Sequence, residues 1–558
     1  MKQHRTTGLL VVLACALALS ACKKEENTKT VCMKVQFERA GSQKVYIGGD
    51  GSVYWNVDDE KDPSSKVLLW TDGGSPSEKT ITNAGIEVPE SGTYAAVFPS
   101  TGSVNKKGGH APIPAEQTYR KDSKGDQIVE APMAARQTGN KGVLYFRNLG
   151  GLIRVRVSVP AAETMSWNIQ RIEVTSASEA LSGDMYFSFD TSTTVKAPEL
   201  FGIAGNASNS VSLTFPEAEI LTANTTKDYY LAAAPFDSSE ISIKVTYLQD
   251  RSFLRTLTLA SGNGTDRKRL GRSGLGAVDM SSAKNSVLNS FRISATDSVV
   301  FAPGNLQYQA SNGGRWRFAE HQWVSYTNTS EGGNYTAISG RATQEKWIDL
   351  FGYGTSGYDG KYPYQNAQNA ALYASGNINN TNYDWGVYNA ISNPKTGVVD
   401  PAGTWRTLTK DEWDYLLKTR PGATVKVNNV LKPNYVRFVH VTVKEVNGIL
   451  LFPDNADISI ASLNPVSDAD WNMLEKIGAV FLPLTGQGSY NSSEGTIDNI
   501  RSTNYAMYLT STGTGNKASS IEFSYQNGRG QNEAYTDGSN QTVYYRKAVR
   551  LARNIPSN

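Results

Sequence analysis

Residues 152–159 read Leu-Ile-Arg-Val-Arg-Val-Ser-Val and stop at Pro160. Arg154, Arg156 and Ser158 fall on one side of an extended chain; Ile153, Val155, Val157 and Val159 fall on the other. Successive side chains of a strand point to opposite faces, so the run is a strand with one buried face. Proline cannot donate to the ladder and ends it. The same signature recurs at residues 31–37 (VCMKVQF), 67–70, 93–98, 171–174, 211–215, 229–233, 241–247 and 253–259, punctuated by Gly, Pro, Asn or Asp. No helix-period stretch competes before residue 290. Tyr (28) outnumbers Phe (17) and Gly reaches 50, a balance that suits short strands and many turns. The first half is therefore expected to be all-β, as two tandem β-sandwiches over residues 31–160 and 161–280, with a linker at 281–290.

Beyond residue 290 the composition changes, and seven of the ten tryptophans lie there. Thr409 and Glu412 have capping-box spacing: the hydroxyl can accept from the N3 amide while the carboxylate reaches back. Trp413, Leu416 and Leu417 form an apolar stripe, and Pro421-Gly422 stops the helix. Ser467 and Asp470 repeat the device ahead of Trp471, Leu474 and Ile477, and Gly478 ends it. Two short helices among strands and long Gly/Asn/Tyr-rich loops predict an α+β module over residues 291–558. The expected fold class is mainly β with this module at the C-terminal end.

The chain begins with Lys2, His4 and Arg5, then an apolar run over residues 8–19. That run is too short for a permanent span, which takes about 20 apolar residues, and it has the shape of an export signal over residues 1–21. Leu19-Ser20-Ala21-Cys22 resembles a lipobox, which implies lipidation at Cys22 (palmitate among the acyl chains) and a tether over residues 22–30. An ordinary cleaved signal containing a cysteine is the alternative. Lys24-Glu25-Glu26 resembles the signal that sends lipoproteins of some Gram-negative anaerobes to the outer face of the cell outer membrane; a solvated tether is the alternative.

Three strings in the first half, Tyr94-Ala-Ala-Val-Phe-Pro99, Ala131-Pro-Met-Ala134 and Phe146-Arg-Asn-Leu-Gly-Gly-Leu-Ile-Arg-Val155, resemble the fimbrillin family of pilus subunits and pilus-like surface lipoproteins. Tyr229-Leu-Ala-Ala-Ala-Pro235 sits where that family's second sandwich has such a strand. The resemblance covers about residues 31–280. It implies a place on fimbriae, other pilus subunits as partners, and removal of the first strand by an arginine-specific protease. Arg39 is the matching position, the one arginine between Cys22 and Arg120. In the second half, GTWRTLTKDEWDYL (403–416), Tyr508-Leu-Thr-Ser-Thr512 and Ala548-Val-Arg-Leu551 resemble the C-type-lectin-like fold, in its bacterial major-paralogous-domain and formylglycine-generating-enzyme branches. Leu509 stands where that family often has tryptophan. The resemblance implies a head that binds a glycan or a host or bacterial surface protein.

Catalysis finds little support, and the expectation is no enzyme, no metal and no cofactor. The enzymes of that fold hold copper through a cysteine pair, and this chain has no cysteine after Cys32. Cys15 lies in the leader and Cys22 is the lipid site, so Cys32 has no disulfide partner. His110, His321 and His440 lie in separate segments, and no nucleophile elbow, phosphate loop or HExxH occurs. A calcium site among Asp384, Asp454 and nearby carbonyls is an alternative that lacks the family's Glu-Pro-Asn or Gln-Pro-Asp and Trp-Asn-Asp strings. The charge of +3 is smaller still once Lys2 and Arg5 leave with the leader, so nucleic acid is not an expected partner. The basic cluster Arg267-Lys268-Arg269 with Arg272 reads as a solvated turn. What remains is an aromatic series in the Gly/Asn-rich loops of residues 347–389. Tyr353, Tyr358, Tyr383, Trp385 and Tyr388 are the candidate ligand contacts, with Tyr362, Tyr364 and Tyr373 beside them. Amphipathic rings next to amides suit sugar or protein contact, and an aromatic mini-core for the loops is the alternative. The expected role is a fimbrial tip or accessory adhesin. The rival is a non-pilus lipoprotein, or an enzyme, that captures glycans for polysaccharide uptake.

Overall fold

The computed structural model describes residues 30–37, 46–47, 53–54, 66–82, 84–121, 125–139, 142–189, 198–237, 241–260, 269–270, 275–325, 347–491, 496–501, 505–524 and 534–556. Cys22 and Arg39 lie outside this set, as does most of the basic cluster at 267–272. The fold is mainly β, as the alternation predicts.

The first half is a stack of layers, each sheet using both faces. A six-stranded sheet runs in the order Val35–Phe37, Leu144–Asn148, Met133–Thr138, Thr93–Phe98, Lys66–Thr71, Ser77–Thr80. All six residues of its strand Thr93–Phe98 are buried. Tyr94, Ala96 and Phe98 enter one core with Met33, Ile86, Val88 and Phe146; Ala95 and Val97 enter another with Ala111, Met185 and Phe187. A strand covered on both faces reads as a continuous apolar run, which is why Tyr94-Ala-Ala-Val-Phe98 has no polar alternate.

Sheet pairing crosses Pro160 in both directions. Gly108–Ile113 pairs with Ser182–Ser188, while Gly151–Ser158 pairs antiparallel with Thr226–Ala233 and parallel with Leu275–Asp279. This three-stranded sheet is shared. Ile153, Val155, Tyr229 and Leu231 enter the core formed with a second six-stranded sheet; Leu152, Tyr230 and Ala232 face back toward Ala95 and Phe187. The two halves are therefore fused through a common layer rather than split near residue 160. Residues 281–290 are not a free linker either: Lys284–Val287 pairs with Phe253–Leu259 as the last strand of that second sheet.

Two details bear on the edges. The N-terminal strand is divided at Lys34: Thr30–Met33 pairs with Ile86–Pro89, and Val35–Phe37 runs parallel to Leu144–Asn148. Met33 is buried, and Val31 and Val35 are half-buried against the same core. At the outer edge of Thr226–Ala233, two glutamines take the place of a neighbouring strand. The Gln127 amide donates to the Tyr230 carbonyl (2.8 Å) and accepts from its N–H (3.0 Å). Gln117 does the same to Ala232 at 2.7 and 3.0 Å.

In the C-terminal module the two ends of the segment lie in one sheet, with Ser298–Phe301 between Phe291–Arg292 and Leu551–Asn554. Helix Lys410–Lys418 carries the predicted capping box, with Thr409 Oγ1 accepting from Glu412 N and Glu412 accepting from Thr409 N. Trp413, Leu416 and Leu417 are buried. Helix Asp468–Lys476 is capped by Ser467, and Trp471 and Leu474 are buried. Trp405, Trp413 and Trp471 are all core residues. Among the described residues no helix is long and apolar enough to cross a membrane.

Candidate functional site

The loops of residues 353–389 are held by their own polar groups. Tyr353 is wholly buried, and its single hydroxyl hydrogen lies between two acceptors, the carbonyls of Ser511 (2.7 Å) and Gly376 (3.1 Å). Tyr373 is buried and donates to Ala367 O. Ser356 Oγ donates to Asn382 O at 2.6 Å, and Asn389 Nδ2 donates to Ser356 O at 2.9 Å. Asp384 caps the single-turn helix Trp385–Tyr388 through Gly386 N, and also accepts from Thr407 N (2.9 Å) and Thr407 Oγ1 (3.0 Å). Burial pushes the Asp384 carboxyl up to about 6, against the pull of those donors. Long loops stitched in this way behave as compact, ordered elements.

The five aromatic candidates separate into two groups. Tyr353 and Trp385 are at 0% exposure and face the main core of the module. A ring without exposed surface cannot meet a ligand, so these two are structural. Tyr358 (36% exposed), Tyr388 (42%) and the half-buried Tyr383 form a surface cluster. Tyr358 meets Tyr383 edge-on at 5.1 Å between ring centroids and meets Tyr388 at 5.4 Å. Tyr383 donates to Asp359 Oδ2 at 3.0 Å, and that carboxylate raises the phenol's pKa. Gly357 has φ +97°, and a Cβ there would touch the Tyr388 ring at 4.0 Å. Tyr362, stacked on Tyr364 at 5.4 Å, is 45% exposed. The hydroxyls of Tyr358, Tyr362 and Tyr388 make no hydrogen bond among the described residues. Sequence reasoning included Tyr362 in the loop but not among the contacts.

The residues weighed for chemistry are otherwise engaged or apart. Asp454 is paired with Arg420 at 2.7 Å and also accepts from Gly422 N and Arg292 N. With Asp384 also occupied, these two carboxylates do not offer a calcium site. His321 stacks on Trp323 at 4.5 Å, and His110 lies 5.4 Å from Tyr186. Among the described residues no group of three or more His, Cys, Asp or Glu side chains could hold a metal ion. Cys32 is exposed, with Sγ 3.1 Å from Ala84 O.

No family model matches the chain, and no curated protein matches it. Among solved structures it is similar to a candidate cell adhesion protein from Bacteroides ovatus, at 10% identity and a TM-score of 0.27, over 47% of this chain and 96% of that one. A second, from Bacteroides uniformis, has 9% identity and a TM-score of 0.25 over 41% and 92%. A third, from Bacteroides fragilis, has 14% identity and a TM-score of 0.21 over 46% and 96%. Scores this low do not establish a shared fold.

Proposed function

We propose that this protein is a cell-surface adhesin: a β-sandwich stalk, lipid-anchored at Cys22, carrying a C-type-lectin-like head that binds a glycan or a surface protein. The observation that carries the reading is the group of exposed tyrosines on stitched loops, Tyr358, Tyr383 and Tyr388. Aromatic rings fixed in this way give contact area at little entropic cost, and the unbonded hydroxyls of Tyr358 and Tyr388 give directional bonds. The resemblance of the first half to fimbrillins adds the pilus. Release of residues 30–37 after cleavage at Arg39 would uncover the edges of Ile86–Pro89 and Leu144–Asn148, which a strand from another subunit could fill. A head of this size after residue 290 keeps a donor strand of the stalk from simply swinging out, which is the logic of a tip.

The test of the head is an array of glycans and surface proteins probed with the chain lacking its leader. Binding that Tyr358→Ala and Tyr388→Ala together abolish, with the melting temperature unchanged, is the expected outcome. Capture of soluble polysaccharide alone would favour nutrient uptake over adhesion. The N-terminal residue of protein from sheared pili tests cleavage: Ala40 is expected, and a lipid-blocked Cys22 in every copy refutes it. Cys22→Ala should abolish membrane fractionation.

A further inference from the structure

The stalk and the head meet at a fixed joint. Arg553, on the last strand, ion-pairs with Asp250 at 2.6 Å and donates to Ser252 Oγ at 3.0 Å. Its guanidinium lies 4.8 Å from the centroid of the Phe253 ring. Asn289 joins the two sides: its side chain accepts from Leu254 N and donates to Ser252 O. Its Cβ sits so close to Gly478 that a Cβ on Gly478 would be 2.1 Å away. Walls held by this many short contacts keep the space between them open in one shape.

That space is a cleft of about 310 Å³. Its apolar lining is Leu248, Leu254, Phe301, Trp405 and Val480. Its charged lining is Arg251, Lys395, Lys476 and Glu475. Glu475 is taken by Lys395 at 2.5 Å. Lys476 makes no ion pair among the described residues. Arg251 reaches only to 3.8 Å from Asp400, whose other oxygen accepts from Trp405 Nε1 at 3.0 Å. At this apolar concavity Lys476 is thus left without a counter-ion among the described residues, and Arg251 has only the long pair with Asp400. Small-molecule sites are concave and mostly apolar, start near roughly 300 Å³, and favour domain interfaces.

We propose that this cleft binds a small amphipathic anion: an aromatic or aliphatic body lodged against Trp405 and Phe301, with one carboxylate, sulfate or sulfonate facing Lys476 and Arg251. The site is separate from the tyrosine group and does not depend on the adhesin reading. An acid group carried on the apolar body meets both exposed cations at the rim of the cleft, so the two parts of the ligand should bind cooperatively.

The probe is 1-anilinonaphthalene-8-sulfonate, titrated by fluorescence against the full chain without its leader. One saturable site is expected. Lys476→Glu should weaken it about tenfold, the loss of one good ionic contact. Thr396→Trp, at an exposed position lining the cleft, should abolish it by filling the space. The uncharged N-phenyl-1-naphthylamine should bind at least about tenfold more weakly than the sulfonate. Tyr358→Ala with Tyr388→Ala should leave the titration unchanged. Both cleft positions are exposed, so melts matching the parent establish that the variants fold. Absence of saturation, or a titration that either cleft variant leaves within twofold of the parent, overturns the proposal.

Discussion

Replacing Asp454 by alanine should unfold the head at markedly lower denaturant. Arg420 and Asp454 are 0% and 2% exposed and meet at 2.7 Å. The guanidinium also donates to the carbonyls of Leu416 (2.8 Å), Phe452 (2.8 Å) and Arg437 (2.6 Å), and lies over Phe291. It thereby caps the end of helix Lys410–Lys418 and ties it to the strand edge at Phe452. Burial pushes its pKa down, and the Asp454 charge opposes that shift. Asp454→Ala strands this cation in the interior, which costs about 3–5 kcal/mol. It also frees the N–H groups of Gly422 and Arg292, so about 4 kcal/mol is a fair centre. With a urea slope of roughly 3 kcal/mol/M, the midpoint should fall by more than about 1 M. Tryptophan emission is the assay, because seven of the ten tryptophans lie in the head. Arg420→Met should cost a similar amount, since three carbonyls lose their donor. The double variant Arg420→Met/Asp454→Leu should cost clearly less than the sum, because no lone charge remains. A midpoint shift below about 0.3 M for Asp454→Ala, or strict additivity in the double variant, would refute the reasoning.

Thr409→Ala should cost about 1 kcal/mol in the same assay, through loss of the capping box; Thr409→Ser should recover most of it. For Asp384 the folded carboxyl titrates at about 6 against an ordinary 3.8, so its stabilising contribution is full below pH 3.8 and is lost as pH rises through about 6. At most about 3 kcal/mol is involved, and the melting temperature of the parent relative to Asp384→Asn should fall between pH 4.5 and 7. Gly478→Ala places a Cβ 2.1 Å from that of Asn289 at φ +83°; it should loosen the joint by about 1–3 kcal/mol and make residues 281–290 more sensitive to protease.

Short-range chemistry was the legible part. The Thr409–Glu412 capping box, the Ser467 cap and the alternation of residues 152–159 are each set by neighbours within a few positions, and the structure has them where the spacing places them; the second box does not close, because the Asp470 carboxylate accepts from Ala461 N, and Ile477 of the second stripe is only half-buried. Sheet membership was not legible, because it depends on partners far along the chain. Nothing local marks Ser182–Ser188 as the neighbour of Gly108–Ile113, or makes Gly151–Ser158 a layer with a core on each side. The tyrosines of the loops show the same limit. Tyr353 and Tyr358 are alike in composition and setting, yet one reaches Ser511 across the fold and is buried while the other stays at the surface. The short helix after Asp384 does carry a local signal, an aspartate in capping position two residues before Gly386.

The glutamines at the edge of Thr226–Ala233 have a consequence for how the molecule meets others of its kind. Their amides make four hydrogen bonds in ladder geometry without supplying a strand. A strand from another protein approaching this flank would have to displace all four before gaining any of its own. The edge is therefore closed to lateral pairing, and to the sheet-to-sheet polymerisation that open edges invite. Two side chains suffice where a covering strand would otherwise be needed, and this flank of the sheet stays inert toward its neighbours.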